Sequence, residues 1–415
     1  MLQGITLDGF RSFSENTWID LAPLTVLAGA NNVGKSSVLA ALAALVQSVE
    51  QTPGVAFLLL RGDWIDLGHF DEVVNYHRTG GARAFDLGLV GETPNGPLDV
   101  TWHFEAALGD HRRDHARCTK VEFTVGELAQ RLTARPSSSI LWEKFNPKKD
   151  SWEEAGWADM YGVEKARLLT ASTGEMAQVM PLSPAAFRYI GPYRAEPRRF
   201  YSERARLQGP PLGRDGAFTA EFLLRNRHQK VELLPKPGNP LLLAHALNEW
   251  WSYVFDLSLK VRVNEVERIG YTLKLDTPSA ENLELGMVGH GLSQTLPLII
   301  LVLGSAPGDV IAIETPEAHL HPGAQHRLAR LFVAAVKAGR QVILETHSEH
   351  VVNAVRLAVK TGDLTPEQVA IHFFELDDEG ATTTTRIDLD TSGRAMTWPE
   401  GFFDQGAKEL MELLG

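Results

Sequence analysis

Two hydrophobic periods alternate along this chain. In residues 1–28 apolar and polar positions alternate over short runs, at 4–9, 18–21 and 24–28, which reads as strands around a turn. The same period-two pattern returns at 84–90 (AFDLGLV) and 100–104 (VTWHF) and predicts an antiparallel sheet within 83–130. Residues 131–180 carry tryptophans without a clear period and yield no assignment. Further on the spacing changes. Leu243, Ala246, Leu247, Trp250, Trp251 and Val254 recur at helical intervals, a stripe that reads as core packing. From 261 onward strands at 271–275, 310–313, 341–344 and 369–374 alternate with helices at 291–303, 323–338 and 349–360. Short, strongly apolar strands between helices are the mark of a parallel α/β core covered on both faces. Residues 382–385 read as a further strand or its exposed edge, and the acidic Asp377-Asp378-Glu379 before Gly380 as a hairpin turn.

Composition sets the limits. With 415 residues, 44% hydrophobic and 22% charged, the chain is globular and long enough for two or three structural units. Breaks at Gly209-Pro210-Pro211 and Pro235-Lys236-Pro237-Gly238 suggest a first half over 1–199, a helical insertion over 200–260 and a second half over 261–415. The formal charge of −12 means that any contact with nucleic acid needs a local basic patch, for which the arginine-rich stretch 188–230 is the candidate. Within it Arg194, Arg198 and Arg199 are open to two readings: a phosphate-binding loop, or a solvated face paired with Glu196 and Glu203. The single cysteine, Cys118, excludes an intrachain disulfide and a cysteine-based zinc site and fits a reducing compartment. No basic-then-apolar leader opens the chain, and the apolar run 296–303 is far short of the ~20 residues that span a bilayer. The expectation is a soluble, cytoplasmic protein without a membrane partner.

The candidate chemistry begins at residues 29–36, GANNVGKS, which match G-x-x-x-x-G-K-[ST] between an apolar strand and a helix. Gly29 and Gly34 let the backbone curl so that its N–H groups, with that of Asn32, face phosphate oxygens at a helix N-terminus. Lys35 would reach the β- and γ-phosphates, and Ser36, followed by Ser37, would offer a hydroxyl to magnesium. The expected ligand is therefore a nucleoside triphosphate with Mg²⁺. In the second half, Glu314 ends an apolar strand, the position where ligands bind in open α/β sheets, and is placed to hold magnesium. His347, in Glu345-Thr346-His347-Ser348, is placed to sense the γ-phosphate, and Ser348 also reads as a helix cap. Val288-Gly289-His290-Gly291-Leu292-Ser293-Gln294 is a second glycine-rich turn opening a helix. His319 and His321 invite a metal reading, but a regular zinc site would need further ligands. His111 and His115 read as part of a solvated loop.

Taken together, these segments resemble the ABC-type ATPase heads of the SMC, RecF and OLD (overcoming lysogenization defect) group, over nearly the whole chain. The opening LDGFRSF resembles that group's first strand, VGHGLSQ its signature segment, ETPEAHLHP its Walker B and D-loop, and ETHSEH its switch histidine. The resemblance implies a mixed sheet plus a parallel RecA-like core, here with a short helical insertion. It also implies ATP held between two heads packed head to tail. Lys35 and Ser36 would then hold ATP and magnesium, and Glu314 would be the Walker B acid. Ser293, with the backbone at Gly289 and Gly291, would touch the γ-phosphate bound to the partner subunit. Two further segments, YIGPYRAEPRR at 189–199 and WPEGFFDQ at 398–405, look like a bacterial subfamily of stand-alone OLD-like ATPases. Several of those act in anti-phage defence beside a separately encoded effector.

One position departs from the pattern. Many relatives carry a second acid directly after the Walker B acid, and here that residue is Thr315. A threonine cannot accept a proton at neutral pH, and loss of a general base lowers a rate by ~10²–10⁴-fold. The expectation is that Glu317 substitutes, with slow turnover; the alternative is an ATP-held scaffold. After His347 little chain remains for the carboxylate cluster of a nuclease, so cleavage of nucleic acid, if any, is expected of a partner protein. The functional expectation is a homodimeric or higher oligomeric ATPase that controls a separate effector, such as a nuclease. DNA maintenance of the RecF/SMC kind is the second reading.

Overall fold

The computed structural model describes residues 1–51, 57–76, 83–93, 96–106, 114–126, 128–134, 139–159, 181–201, 209–266 and 270–414. They form two compact units, one from residues 1–21, 36–187 and 376–383, the other from 22–35, 188–375 and 384–415.

In the first unit the alternating stretches build an antiparallel sheet in the order Ser151–Asp159, Ser139–Asn146, Leu128–Ala134, His115–Val125, Gly96–Ala106, Ala84–Thr93, Leu2–Asp8, Thr17–Asp20, and Phe57–Leu59 pairs with His115–Val125. The register sets apolar residues side by side, Leu7 opposite Leu87, and Leu87 opposite Trp102, all buried. Phe85 gathers Phe10, Phe70 and Phe104 at ring distances of 5.3, 5.8 and 5.3 Å. The helix Lys35–Gln51 is buried from Ser37 to Ser48. Its two polar core residues are satisfied: Gln47 Nε2 donates to the Leu59 carbonyl at 2.8 Å, and Ser48 Oγ accepts from Leu59 N–H at 2.8 Å. Cys118 is buried in this unit, and desolvation pushes its thiol up to about 12, so it has no thiolate character at neutral pH. His115 lies in a strand and meets Asp114, whereas His111 falls outside the described residues.

The stretch that gave no assignment contains three strands, Leu128–Ala134, Ser139–Asn146 and Ser151–Asp159. Cross-strand pairs organise them: Arg131 meets Glu143 at 2.8 Å and stacks over the Trp152 ring at 4.4 Å, and Phe145 meets Trp152 at 5.5 Å. Such pairs join residues distant in sequence, which is why period alone did not reveal them. Residues 160–180 lie outside the described part.

The second unit holds a sheet in the order Phe187–Ile190, Val310–Glu314, Gln341–Thr346, Leu24–Gly29, Val369–Leu376, Thr382–Ile387, and its four central strands run parallel. Glu314 lies beside Glu345, Thr346 beside Ala28, and Gly29 beside Phe374, so one edge of the sheet collects the ends of all four. The helices His290–Leu303, Pro322–Lys337 and Glu349–Lys360 contribute their apolar faces to one continuous core with these strands. Leu243–Phe255 joins the same core through its whole Leu/Trp stripe, each fully buried large side chain contributing about 1.5–3 kcal/mol. The indole N–H groups find partners there: Trp250 donates to the Leu233 carbonyl at 2.9 Å and Trp251 to Thr295 Oγ1 at 3.2 Å. An antiparallel trio, Lys260–Val266, Gly270–Thr277 and Ala280–Glu284, precedes the glycine-rich turn. Residues 377–381 form the expected turn, closed by Asp377 N–H to the Ala381 carbonyl at 2.9 Å. No helix among the described residues is long and apolar enough to cross a membrane.

Candidate functional site

The strand Leu24–Gly29 runs directly into the glycine loop, and Lys35 opens the helix that follows. Gly29 and Gly34 take φ of +144° and +98°, and Asn32 takes +60°. At Gly29 a Cβ would stand 2.3 Å from the Phe374 carbonyl oxygen, so both the backbone angle and the neighbouring strand require glycine. Ser36 and Ser37 occupy the first helical turn, Ser37 buried. The Lys35 ammonium is buried and bonded to the Ala30 carbonyl; burial lowers its pKa, against the raising pull of the Glu345 and Glu317 carboxylates.

Beside it, Glu314 ends its strand almost fully buried, and the Tyr189 phenol donates to Glu314 Oε1 at 2.5 Å. Burial, reinforced by the Glu314 charge, drives the Tyr189 pKa well above that of an ordinary phenol, so the hydroxyl stays a donor. The chain then bends sharply. Thr315, a β-branched residue, adopts φ +43°, and such left-handed conformations cost on the order of 1–3 kcal/mol when taken by non-glycine residues. The bend brings Glu317 back to the sheet edge, where its Oε1 accepts the His347 N–H at 2.6 Å. Glu317 Oε2 is buried without a hydrogen-bond partner among the described residues, and burial raises the Glu317 pKa. The His347 imidazole has its pKa lowered by burial and by Lys35, with the Gly29 carbonyl opposing, so the ring is neutral at physiological pH. Ser348 also caps the helix Glu349–Lys360, accepting Val351 N–H at 3.1 Å, so the helix-start reading of that segment holds as well.

Gly29, Lys35, Glu314, Glu317 and His347 are thus gathered at one sheet edge. Gly291 and Ser293 lie at the start of the helix His290–Leu303, Gly291 beside the His319 carbonyl. Ser293 Oγ donates to the His290 carbonyl at 3.0 Å, and the His290 and His319 rings stand 5.7 Å apart. His321 Nδ1 caps the helix Pro322–Lys337. No group of three or more His, Cys, Asp or Glu residues among those described is arranged to hold a metal by itself.

Arg194 fits neither reading offered above. Arg194 is buried and points into the protein, its Nη2 donating to the Glu314 carbonyl at 2.6 Å and its Nη1 to the Thr315 carbonyl at 3.2 Å. Arg188 pairs with Asp309 at 3.0 Å, Arg199 with Glu284 at 3.1 Å and Arg225 with Glu221 at 2.9 Å. These partners are remote in sequence or one helical turn away, and none is Glu196 or Glu203, the latter outside the described residues with Arg204 and Arg206. Arg198, Arg214, Arg227 and Lys230 remain exposed.

Residues 1–79 and 242–352 match the family model described as "AAA ATPase domain". Over these stretches the chain is similar to an AAA ATPase domain. Its two matched stretches contain the glycine loop on one side and, on the other, the turn at 288–294, Glu314, Glu317 and His347. Residues 364–413 match a second model, described as "Protein of unknown function (DUF3696)". No curated protein matches the chain. Among solved structures, the SMC head domain from Thermotoga maritima is 14% identical, with 94% of this chain and 99% of that one covered at a TM-score of 0.42. An SMC head bound to the C-winged helix domain of ScpA is 13% identical, with 94% and 98% covered and a TM-score of 0.46. The SMC head with an extended coiled coil bound to the C-terminal domain of ScpA, from Pyrococcus furiosus, is 10% identical, with 100% and 99% covered and a TM-score of 0.47.

Two residues of this site, Glu345 and Tyr189, were given no role in the sequence, and Arg194 was read there as a phosphate-binding or solvated residue. Glu345 satisfies the same criterion as Glu314, an acid ending a buried parallel strand, and could have been found by it. Tyr189 and Arg194 carried no such signal, because their roles arise from a partner some 120 residues away.

Proposed function

We propose that this chain binds ATP with magnesium, pairs head to tail with a second copy around the nucleotide, and hydrolyses it slowly with Glu317 as the base. The observation that carries this reading is the Glu317 carboxylate, one oxygen fixed by the His347 N–H and the other buried without a hydrogen-bond partner among the described residues. A raised pKa and an open acceptor are what a group needs to take a proton from an attacking water. Lys35 and the backbone of Gly29, Asn32 and Gly34 bind the phosphates, with Ser37 supporting the first turn; Ser36 and Glu314 hold the magnesium ion. When bound, the metal supplies charge neutralisation on the phosphate oxygens. Tyr189 fixes one oxygen of Glu314, and His347, neutral and beside Lys35, offers its ring to the γ-phosphate. Gly291 and Ser293 serve the nucleotide of the partner copy.

In this reading the ATP-linked dimer controls a separately encoded effector, a nuclease in anti-phage defence, which rests on the resemblance of segments 189–199 and 398–405. The exposed Arg198, Arg214, Arg227 and Lys230 offer a phosphate-binding face for a nucleic-acid trigger. The test is ATP turnover together with solution mass for the native chain, Lys35→Ala and Glu317→Gln. Turnover lost in both variants, with an ATP-bound dimer accumulating only in Glu317→Gln, supports the reading. Native chain and Glu317→Gln equally inert, with ATP still setting the oligomer, would make ATP a structural ligand.

A further inference from the structure

The turn that carries Glu317 does not hold its own shape. Thr315 sits at φ +43°, a region that a β-branched side chain leaves unless its surroundings hold it there. Two neighbours do so. On one side Thr315 N–H donates to the Glu345 carbonyl at 2.8 Å. On the other a single guanidinium gathers the carbonyl oxygens: Arg194 Nη2 takes Glu314 at 2.6 Å, and Nη1 takes Thr315 at 3.2 Å and Pro192 at 2.9 Å, with Thr315 Oγ1 at 3.4 Å. Arg194 is itself anchored, because the residues flanking its loop donate inward, Gly191 N–H to the Arg214 carbonyl and Ala195 N–H to the Asp215 carbonyl, both at 2.8 Å.

We propose that Arg194 is a positioning residue for hydrolysis, holding Thr315 in its left-handed conformation so that Glu317 reaches the His347 N–H. This rests on the reading of Glu317 as the base. The bonds to carbonyl oxygens set the role apart from that of a phosphate ligand, since both terminal nitrogens donate to the backbone and the residue is only 8% exposed. A planar fork with fixed donors suits two adjacent carbonyls, which the single ammonium of a lysine cannot match. The arrangement also accounts for a threonine where a second acid is usual. The position is occupied by backbone geometry, and the acid is supplied two residues on.

The experiment compares Arg194→Lys, Thr315→Gly and the double variant in the full chain, with turnover, binding of a fluorescent ATP analogue and urea unfolding for each. Glycine adopts φ +43° without help, so Thr315→Gly removes the need for the brace. Arg194→Lys is expected to lower kcat about 100-fold, the scale of a misplacement near 1 Å, while analogue affinity stays within about threefold. Adding Thr315→Gly is expected to return at least about tenfold of the lost kcat, a coupling that independent sites would not show. Equal losses in affinity and kcat would make Arg194 a nucleotide ligand and overturn the proposal, as would an unrescued double variant or a lysine variant with native kcat. If the native chain binds the analogue without turning ATP over, the hydrolytic reading fails by itself. The unfolding cycle then decides the brace: Thr315→Gly must be less destabilising, or stabilising, in the lysine background, and additive effects would sink it.

Discussion

Glu317 and His347 meet where two neighbouring parallel strands end, the carboxylate Oε1 accepting the backbone N–H at 2.6 Å. This bond joins the acid that follows one strand to the histidine that follows the next, so neither can shift without the other. It leaves the second carboxylate oxygen buried and without a hydrogen-bond partner among the described residues.

Glu317→Gln keeps an oxygen for the His347 N–H but removes the group proposed as the base. Turnover is expected to fall by about 10²–10⁴-fold with ATP binding intact. Because burial raises the Glu317 pKa, the active ionised form is reached only above the ordinary glutamate range, and native kcat should fall as pH drops toward that pKa. A pH profile in Glu317→Gln identical to that of the native chain would dismiss the assignment.

Tyr189→Phe deletes the phenol that meets Glu314 at 2.5 Å inside the protein. Hydrogen bonds to charged groups contribute about 1.5–3 kcal/mol, so urea unfolding should show a loss of that size without nucleotide. A change below about 0.5 kcal/mol, the scale of an inconsequential surface substitution, would mean the pair contributes nothing to the fold.

Gly29→Ala places a Cβ 2.3 Å from the Phe374 carbonyl and forces φ +144° on a side-chain-bearing residue. The neighbouring strand must move, and with it the phosphate loop. ATP binding is expected to drop at least tenfold, and stability by at least about 1–3 kcal/mol. Binding measured by calorimetry at the native level would refute the close approach.

His372 reports on the pH limit of the fold. It is 2% exposed, and burial lowers its imidazole to about 4 against the pull of Asp388. The folded chain keeps the ring neutral down to about pH 4, whereas the unfolded chain protonates it near the ordinary histidine value of 6.5. Between these values the unfolded state binds more protons, so stability rises with pH and is lost as pH falls through the window, by up to about 3 kcal/mol. His372→Leu should flatten this dependence. Urea midpoints that decline equally between pH 7 and 4.5 in both proteins would count against it.

Much of this protein was determined by local sequence alone. Residues 29–36 spell a loop whose glycine angles and helix start follow from the residue types, and the apolar strands at 310–313 and 341–344 and the helix 349–360 fall where their periods put them. Those features are legible because each is fixed by residues within one or two turns of one another. The strands between 128 and 159 were not legible, since pairs such as Arg131 with Glu143 and Trp152 organise them across the sheet. Nor was the environment of the acids. Only the parallel register sets Glu345 beside Glu314, and only folding brings Tyr189 and Arg194 to the end of a strand more than 100 residues away. A sequence specifies which side chains can donate, accept or bend. Which of them are desolvated together, and so which acid keeps an unsatisfied oxygen, is decided by the tertiary structure.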